Sequence, residues 1–144
     1  MRVNLFADAS LRAMMLLSAT EHSLRTQQIA EAAGIPYHHM SKAVQRLSGL
    51  GLVETTRGRG GGVRLSPVGR ESTVGGILRA LNTDEYPAAC VTDGGQCPLF
   101  SHCRLRDALT RARESFYREL DSVRITDLSH PAQVSQILLP GIES

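Results

Sequence analysis

The feature that most constrains the fold is a pair of short helical patterns separated by one glycine. Apolar residues recur at helical spacing in residues 26–33 and again from Pro36 to about Leu50, and Gly34 lies between the two runs. Two helices joined by a short glycine-containing turn form a helix-turn-helix, whose second helix enters the major groove of DNA. The sequence therefore predicts a small helical unit that binds DNA.

The second of these helices carries polar and basic side chains on the face opposite its apolar residues. Amide, hydroxyl and basic groups of this kind hydrogen bond to phosphates and to base edges. The candidate DNA-contacting residues of this helix are Tyr37, His38, His39, Ser41, Lys42, Gln45 and Arg46. Taken alone, such a face is equally typical of an ordinary solvated helix.

A predicted β-hairpin directly follows this candidate recognition helix. Residues 52–56 and 63–65 have strand character, and the glycine-rich sequence R-G-R-G-G-G lies between them. A basic hairpin in this position is typical of the wing of a winged helix, and Arg59 at its tip suits the negative potential of the minor groove. The candidate wing contacts are Arg57, Arg59 and Arg64, and the order of the elements favours a wing over a merely solvated hairpin.

The two halves of the chain differ in charge, although the whole chain has a formal net charge of only +2. Residues 1–80 contain nine Arg and one Lys against five acids, a net charge of +5, and residues 81–144 contain six Arg against nine acids, a net charge of −3. The basic half also has helical patterns at residues 4–20 and 74–81. This division is typical of a protein in which one part meets a polyanion and the other has a different task.

Three cysteines, Cys90, Cys97 and Cys103, lie within fourteen residues in a stretch that predicts a loop. An odd number of clustered thiols favours ligation or redox sensing over burial or disulfides in a reducing compartment. The C-x₆-C-x₅-C spacing is wider than the paired C-x₂-C motifs of zinc ribbons, and zinc needs a fourth ligand. An iron–sulfur cluster is therefore favoured over zinc, and a bare thiol redox sensor is the third alternative.

The strongest helical pattern begins at Leu105 and has an apolar seam with a charged opposite face. A long amphipathic helix appended to a DNA-binding unit is typical of a dimer interface, because two-fold symmetric DNA sites favour dimers. The candidate dimer contacts are Leu105, Leu109, Ala112, Phe116 and Leu120. The alternative is that this seam packs on its own domain, and the apolar tail beyond Asp121 is expected to dock.

Together these patterns predict a mainly α fold with a small β-hairpin. The expected divisions are a winged helix-turn-helix DNA-binding domain at residues 1–81, a cysteine loop at 82–104, and a dimerisation helix with docked tail at 105–144.

Several classes of protein are disfavoured. The apolar runs are too short to cross a bilayer, and Asp8 and Arg12 precede any long apolar stretch, so no signal peptide is expected and the cytoplasm is the predicted location. Paired carboxylates in a shared context, a phosphate-binding loop and a nucleophile with an evident base are missing from the sequence. We therefore expect no catalytic residues and no enzymatic activity.

The order of these motifs resembles the NsrR-type repressors, nitric oxide sensors in the winged-helix regulator family that also contains IscR. The resemblance rests on the sequence Asp8-x₃-Arg12 in the first helix, the helix-turn-helix, the R-G-R-G-G-G wing, the three cysteines and the C-R-L-R run that begins at Cys103. It covers nearly the whole chain.

The resemblance implies a set of cluster ligands. Cys90, Cys97 and Cys103 are expected to bind a 4Fe-4S cluster, with a 2Fe-2S cluster as the alternative, and the fourth ligand is expected from Asp8 of the partner subunit. The IscR branch uses a histidine three residues after the third cysteine, where this chain has Arg106. This departure argues against the IscR role.

The implied function is that of a homodimeric repressor which binds a palindromic operator in double-stranded DNA and controls nitric oxide detoxification genes. Nitric oxide, acting at the cluster, is expected to lift repression. The alternatives are an iron–sulfur redox regulator of other genes and a small iron–sulfur electron carrier whose basic half is a docking surface.

Overall fold

The computed structural model describes residues 3–82, 86–92, 94–130 and 132 of the chain. These residues form a mostly helical fold with two small antiparallel hairpins. The elements are α1 Leu5–Ser18, α2 Thr26–Ala33, α3 Tyr37–Gly49, β1 Val53–Thr56, β2 Gly62–Leu65, α4 Pro67–Glu71, α5 Val74–Leu81, β3 Val91–Thr92, β4 Gly95–Gln96, α6 Arg104–Leu120 and a 3-10 turn at Ile125–Asp127.

The hydrophobic core lies where α1 packs against α2 and α3. Met14, Ile29, Met40 and Leu47 are fully buried there. Burial of one such side chain stabilises a fold by about 1.5–3 kcal/mol, so these contacts hold the three helices together as a unit.

The turn between α2 and α3 depends on Gly34. This residue ends α2 in the left-handed region at φ +68°, which a glycine adopts without steric cost. The N–H of Ile35 then donates to the carbonyl O of Ala30 at 3.0 Å, which satisfies one of the last carbonyls of α2. The chain can therefore reverse within three residues and begin α3 directly after Pro36.

The hairpin β1–β2 is fastened to the core by a third short segment. Val63 exchanges two backbone hydrogen bonds with Leu24, at 2.9 and 2.7 Å, so Leu24 extends the hairpin into a third strand position. Val53, Val63 and Leu65 face inwards and are buried. One face of the hairpin is thus part of the domain core, and its other face and its tip are exposed to solvent.

Helix α6 returns to the N-terminal, basic half of the chain by packing along α5. Tyr117 is buried between the two helices, and its hydroxyl accepts a hydrogen bond of 2.6 Å from the side-chain amide of Asn82. Backbone hydrogen bonds then join Val74 to Val123 and Ile125 to Ser72, at 2.8 and 3.1 Å. The beginning of α5 and the chain after α6 are therefore locked together.

An arginine of α5 strengthens this contact. Arg79 hydrogen bonds to Asp121 and donates to Glu114 at 2.7 Å, and its guanidinium lies 5.4 Å from the centre of the Tyr117 ring. The hydrogen bond to Asp121, with that to Glu114, raises the pKa of Arg79, because both carboxylates favour its charged form.

The structure differs from the sequence-based expectations in three local features. Residues 83–96 were expected to be a loop throughout, but the described part contains the two-residue strands β3 and β4. The short helix α4 was not expected. In the predicted docked tail, Ile125 is fully buried and Leu128 is exposed, while Pro131, Ile137, Leu138 and Leu139 lie outside the described residues.

None of the helices in the described ranges is both long enough and apolar enough to cross a membrane.

The α5–α6 contact predicts a specific sensitivity at Gly75. A Cβ atom at this position would lie 2.5 Å from the carbonyl O of Tyr117 and 2.8 Å from the N of Asp121, both backbone atoms that cannot move alone. We expect Gly75→Ala to lower the free energy of unfolding by about 1–3 kcal/mol, as overpacking does. Urea denaturation followed by circular dichroism measures this change.

The neighbouring Gly76 provides the matched control. Its added Cβ would meet only the Thr73 hydroxyl, at 3.2 Å, and alanine favours a helix by up to about 1 kcal/mol over glycine. Gly76→Ala should therefore leave stability unchanged or raise it. Equal stability of the two variants would show that the helices do not approach as closely as described.

Candidate nucleic-acid interface and cysteine loop

Helix α3 separates a buried face from a polar one. Met40, Ala43, Val44 and Leu47 point into the core. Of the seven residues predicted to contact DNA, Ser41 is half-buried and the other six are exposed: Tyr37, His38, His39, Lys42, Gln45 and Arg46. The predicted set thus forms the solvent-facing side of the second helix of the helix-turn-helix.

These exposed side chains differ in their present partners. Arg46 donates to the carbonyl O of Ala80 at 3.3 Å, which ties it to the end of α5. The rings of His38 and His39 are in contact, with centroids 4.1 Å apart. Within the described part of the chain, Tyr37, Ser41, Lys42 and Gln45 make no side-chain hydrogen bond or ion pair, so a new partner of these residues would displace none.

The three wing arginines are exposed, but they are not equivalent. Arg64 on β2 pairs with Glu54 directly across the hairpin, at 3.0 Å. Arg57 and Arg59 lie in the glycine-rich tip, and neither has a carboxylate partner among the described residues. The uncompensated positive charge of the wing is therefore concentrated at its tip, where a DNA groove would be met.

The cysteine loop contains the second hairpin and ends at α6. Cys90 precedes β3 and Cys97 follows β4, and the N–H of Cys97 donates to the carbonyl O of Cys90 at 2.9 Å. Cys103 is the N-cap of α6, where its Sγ accepts from the N–H of Arg106 at 3.4 Å. All three thiols are unpaired and half-buried.

Arg106 holds the last turn of this loop in place. Its guanidinium donates to the carbonyl O of Phe100 at 2.7 Å and lies 4.3 Å from the centre of that ring. The Phe100 ring in turn meets Tyr86 edge to face, with centroids 5.3 Å apart. His102, which lies between Phe100 and Arg106 in the sequence, adopts a left-handed backbone conformation at φ +59°. This conformation is uncommon for a residue with a side chain. The segment that carries Cys103 is thus packed and structured.

Asp8 lies on the first turn of α1, apart from the cysteine loop in sequence. Its carboxylate accepts two contacts from Arg12, at 3.1 and 3.0 Å. Arg12 also donates to the carbonyl O of Ala33, at 3.0 Å, at the end of α2 beside Gly34. Asp8 is therefore linked through one guanidinium to the turn of the helix-turn-helix.

The donor set suits an iron–sulfur cluster in its chemistry. Three unpaired thiols are available, and the helix N-terminus at Cys103 favours a negatively charged ligand. Among the described residues, however, no three His, Cys, Asp or Glu side chains converge closely enough to hold a metal ion. The three thiols fit the group as donors, but this conformation of a single chain does not bring all of them to one point.

The two halves of the α6 seam differ in how far their side chains are buried. Leu105 and Ala112 are exposed, Leu105 by 66%, and Leu109 is half-buried. Phe116 and Leu120 are half-buried against the core of the same chain. The later half of the seam thus packs on its own domain, which was the alternative to a dimer interface, and among the described residues the earlier half does not pack on the core.

Tyr117 and Arg79 were missed by reasoning from the sequence. Tyr117 lies outside the apolar seam of α6, yet it is the buried residue of that helix, and Arg79 is its partner on α5. In the sequence, the one local indication of this contact was Arg79 itself, a charged residue next to the apolar face of α5 that suggests a nearby carboxylate.

Comparison with known proteins identifies the family. The model of the Rrf2 family, described as iron-dependent transcriptional regulators, matches residues 4–131. The transcriptional repressor NsrR of Streptomyces coelicolor is 44% identical over 131 residues, which cover 89% of this chain and 88% of the relative. The transcriptional regulator NsrR of Geobacillus kaustophilus is 37% identical, with 89% of each chain covered.

Solved structures support the same fold. IscR of T. potens has a TM-score of 0.67 at 23% identity, covering 89% of this chain and 85% of that one. CymR of Bacillus subtilis, a cysteine regulator, has a TM-score of 0.65 at 25% identity, covering 92% and 98%. The predicted mostly helical winged-helix fold is confirmed.

The relatives are transcriptional regulators, so the prediction of a DNA-binding regulator without enzymatic activity is also confirmed. The chain belongs to the Rrf2 family of iron-dependent transcriptional regulators.

Proposed function

We propose that this chain is a homodimeric repressor that binds a palindromic operator and senses nitric oxide through an iron–sulfur cluster. The observation that carries the proposal is that one fold combines an exposed polar recognition helix and wing with a loop of three unpaired thiols. The identity of 44% to a repressor named NsrR supports the assignment. The regulated genes are then those of nitric oxide detoxification.

DNA reading falls to α3 and to the wing. Gln45 suits the paired donor and acceptor of an adenine edge, and Lys42 suits a phosphate or a guanine. Tyr37, His38, His39, Ser41 and Arg46 flank these two residues on the same helix and complete the candidate contacts. Arg57 and Arg59 bind the backbone or the minor groove, and Arg64 does so after leaving Glu54.

Cys90, Cys97 and Cys103 would hold the cluster, together with Asp8 of the partner subunit. When bound, a 4Fe-4S cluster supplies an iron that a small diatomic molecule reaches most readily at the site of the weaker oxygen ligand. The chain therefore contributes three sulfur donors on one protomer and a carboxylate on the other. A 2Fe-2S cluster is the alternative that the same thiols would serve.

Arg12 connects the carboxylate of Asp8 to the DNA-binding turn. A carboxylate of Asp8 that bound an iron would divide its charge between that iron and Arg12, whereas a carboxylate without iron interacts with Arg12 alone. Because Arg12 also donates to Ala33 beside Gly34, a change in its position is felt at the end of α2. The angle between two recognition helices can change in this way, so that two half-sites are no longer matched.

The dimer forms through the exposed part of the α6 seam. Leu105 and Ala112 are exposed and Leu109 is half-buried, and Phe116 and Leu120, half-buried against the core, continue the same seam. On this proposal residues 1–81 read DNA, residues 82–104 hold the cluster and residues 105–144 dimerise. Binding to the chromosome requires the cytoplasm, where thiols also stay reduced.

The proposed DNA contacts predict two different effects of mutation. Arg59→Ala should weaken binding to all sequences alike and lower the slope of log K against log salt by about 1, because one phosphate contact is lost. Gln45→Ala should cost about 1–3 kcal/mol on the cognate site and relax the preference at one base pair. Fluorescence anisotropy with the upstream region of the chain's own gene measures both.

Arg118→Ala is the matched control for these variants. Arg118 is exposed on α6, away from α3 and the wing, and its replacement by alanine removes the same charge as Arg59→Ala does. Its affinity and salt dependence should equal those of the unaltered protein. Loss of affinity in Arg118→Ala comparable to that in Arg59→Ala would mean that only net charge matters.

The ligand proposal predicts a spectroscopic change in Asp8→Ala. Replacing the carboxylate should alter the visible circular dichroism of the cluster and its response to nitric oxide, because one iron loses its oxygen ligand. Asp127→Ala removes an exposed aspartate from the 3-10 turn and should change neither. An unchanged spectrum and an unchanged response in Asp8→Ala would remove Asp8 from the ligand set.

The type of cluster is open to direct measurement. Native mass spectrometry of the protein isolated without oxygen should show a dimer with one 4Fe-4S mass increment per subunit, and titration with nitric oxide should abolish binding to the operator. An increment of 2Fe-2S would contradict the cluster assignment. Failure to bind duplex DNA in a salt-dependent manner, with and without cluster, would favour the electron carrier.

A further inference from the structure

We propose that Cys90 and Cys97 form a reversible intramolecular disulfide when the cysteine loop holds no cluster. This goes beyond the function above and does not depend on it, because the two residues face each other within the polypeptide itself. The disulfide would withdraw two of the three thiols of the loop.

The evidence is the register of the β3–β4 hairpin. Val91 pairs with Gln96 and Thr92 pairs with Gly95, so the next pair outwards is Cys90 opposite Cys97. The hydrogen bond of 2.9 Å from the N–H of Cys97 to the carbonyl O of Cys90 continues the ladder to this pair. Residues directly opposite each other in an antiparallel pair project to the same face of the hairpin.

The Cα separation of such a pair is compatible with a disulfide, while the Cβ atoms, roughly 4.5–5.5 Å apart in paired strands, must approach to about 3.5–4.5 Å. Hydrogen-bonded partners in an antiparallel ladder have Cα atoms about 5.5 Å apart, and bridged cysteines have Cα atoms roughly 4.4–6.8 Å apart. Both side chains are half-buried, so a small oxidant can reach them. The pair lies at the open end of a hairpin of only two residues per strand, which can adjust as the bond forms.

Cys103 is excluded from this pair by its position. Its Sγ accepts from the N–H of Arg106, in the first turn of a rigid helix. The contact of Arg106 with Phe100 and the left-handed backbone of His102 fix the approach to that helix. The hairpin register therefore sets the backbones of Cys90 and Cys97 opposite each other, and Cys103 lies outside the hairpin at the start of α6.

The reaction needs a small disulfide as oxidant. One of the two cysteine thiolates attacks a low-molecular-weight disulfide, forms a mixed disulfide with it and releases one small thiol. The second cysteine thiolate then attacks the protein sulfur of the mixed disulfide and releases the second small thiol. The two cysteines lose two electrons and two protons in total, and the small disulfide is reduced to two thiols.

The test uses the full-length protein freed of metal by a chelator and reduced without oxygen. After incubation with glutathione disulfide, free thiols are alkylated and the chain is analysed by intact mass and peptide mapping. We expect a single disulfide between Cys90 and Cys97, so that these two cysteines are not alkylated. Cys103 should be alkylated. A bond from Cys103 to either other cysteine, or three alkylated thiols, would overturn the proposal.

Three variants sharpen the result. Cys103→Ser is the matched control and should form the bond at the rate of the unaltered chain. Cys97→Ser and Cys90→Ser should instead stop at a mixed disulfide with glutathione, seen as the added mass of one glutathione. The proposed pair would be contradicted if Cys103→Ser failed to form the intramolecular bond as the other two variants do. Bonds between chains in place of the intramolecular bond would also contradict it.

The outcome is separable from that of the proposed function. Cluster content is measured on the same preparation before the chelator is added. A protein that never contains a cluster would contradict the proposed function, and the disulfide would still be tested on the same chain.

Discussion

The close approach of α5 and α6 is the contact on which the rest of the arrangement depends. Gly75 lets the backbone of α5 meet that of α6 near Tyr117 and Asp121, and the backbone hydrogen bond from Val74 to Val123 fastens the start of α5 to the chain after α6. The basic half of the chain and the acidic half are joined there by buried surface and by the ion pairs of Arg79. A movement of the end of α6 is therefore transmitted to α5 and to the basic half of the chain.

A second connection runs through α1. Arg12 reaches both Asp8 and the last carbonyl of α2, so a single guanidinium spans the distance between a candidate ligand and the helix-turn-helix. Both of its contacts are exposed, and exposed ion pairs contribute little to stability, typically about 0–1 kcal/mol. The pair is thus better suited to being exchanged than to holding the fold together.

The parts of the structure with local causes could be predicted from the sequence. The bounds of α3, α5 and the wing follow from apolar spacing and from glycines, and all ten predicted DNA contacts lie on solvent-accessible surface because polar residues on a half-buried helix or hairpin must face outwards. Features that depend on residues distant in the sequence could not be predicted. Tyr117 is buried because α5 lies beside it, and the pairing of Glu54 with Arg64 depends on the hairpin register. The strands β3 and β4 are too short for a visible alternation.

The two ends of the cysteine loop are attached to the same helix. The loop begins at Asn82, which is hydrogen bonded to Tyr117, and it ends at Cys103, one residue before α6 begins. Tyr117 follows Arg104 by thirteen residue positions in this helix, which corresponds to an axial distance of about 20 Å. The two anchors of the loop are thus held at a fixed separation along one helix. A change in the number of residues between the first two cysteines would therefore leave both anchors in place.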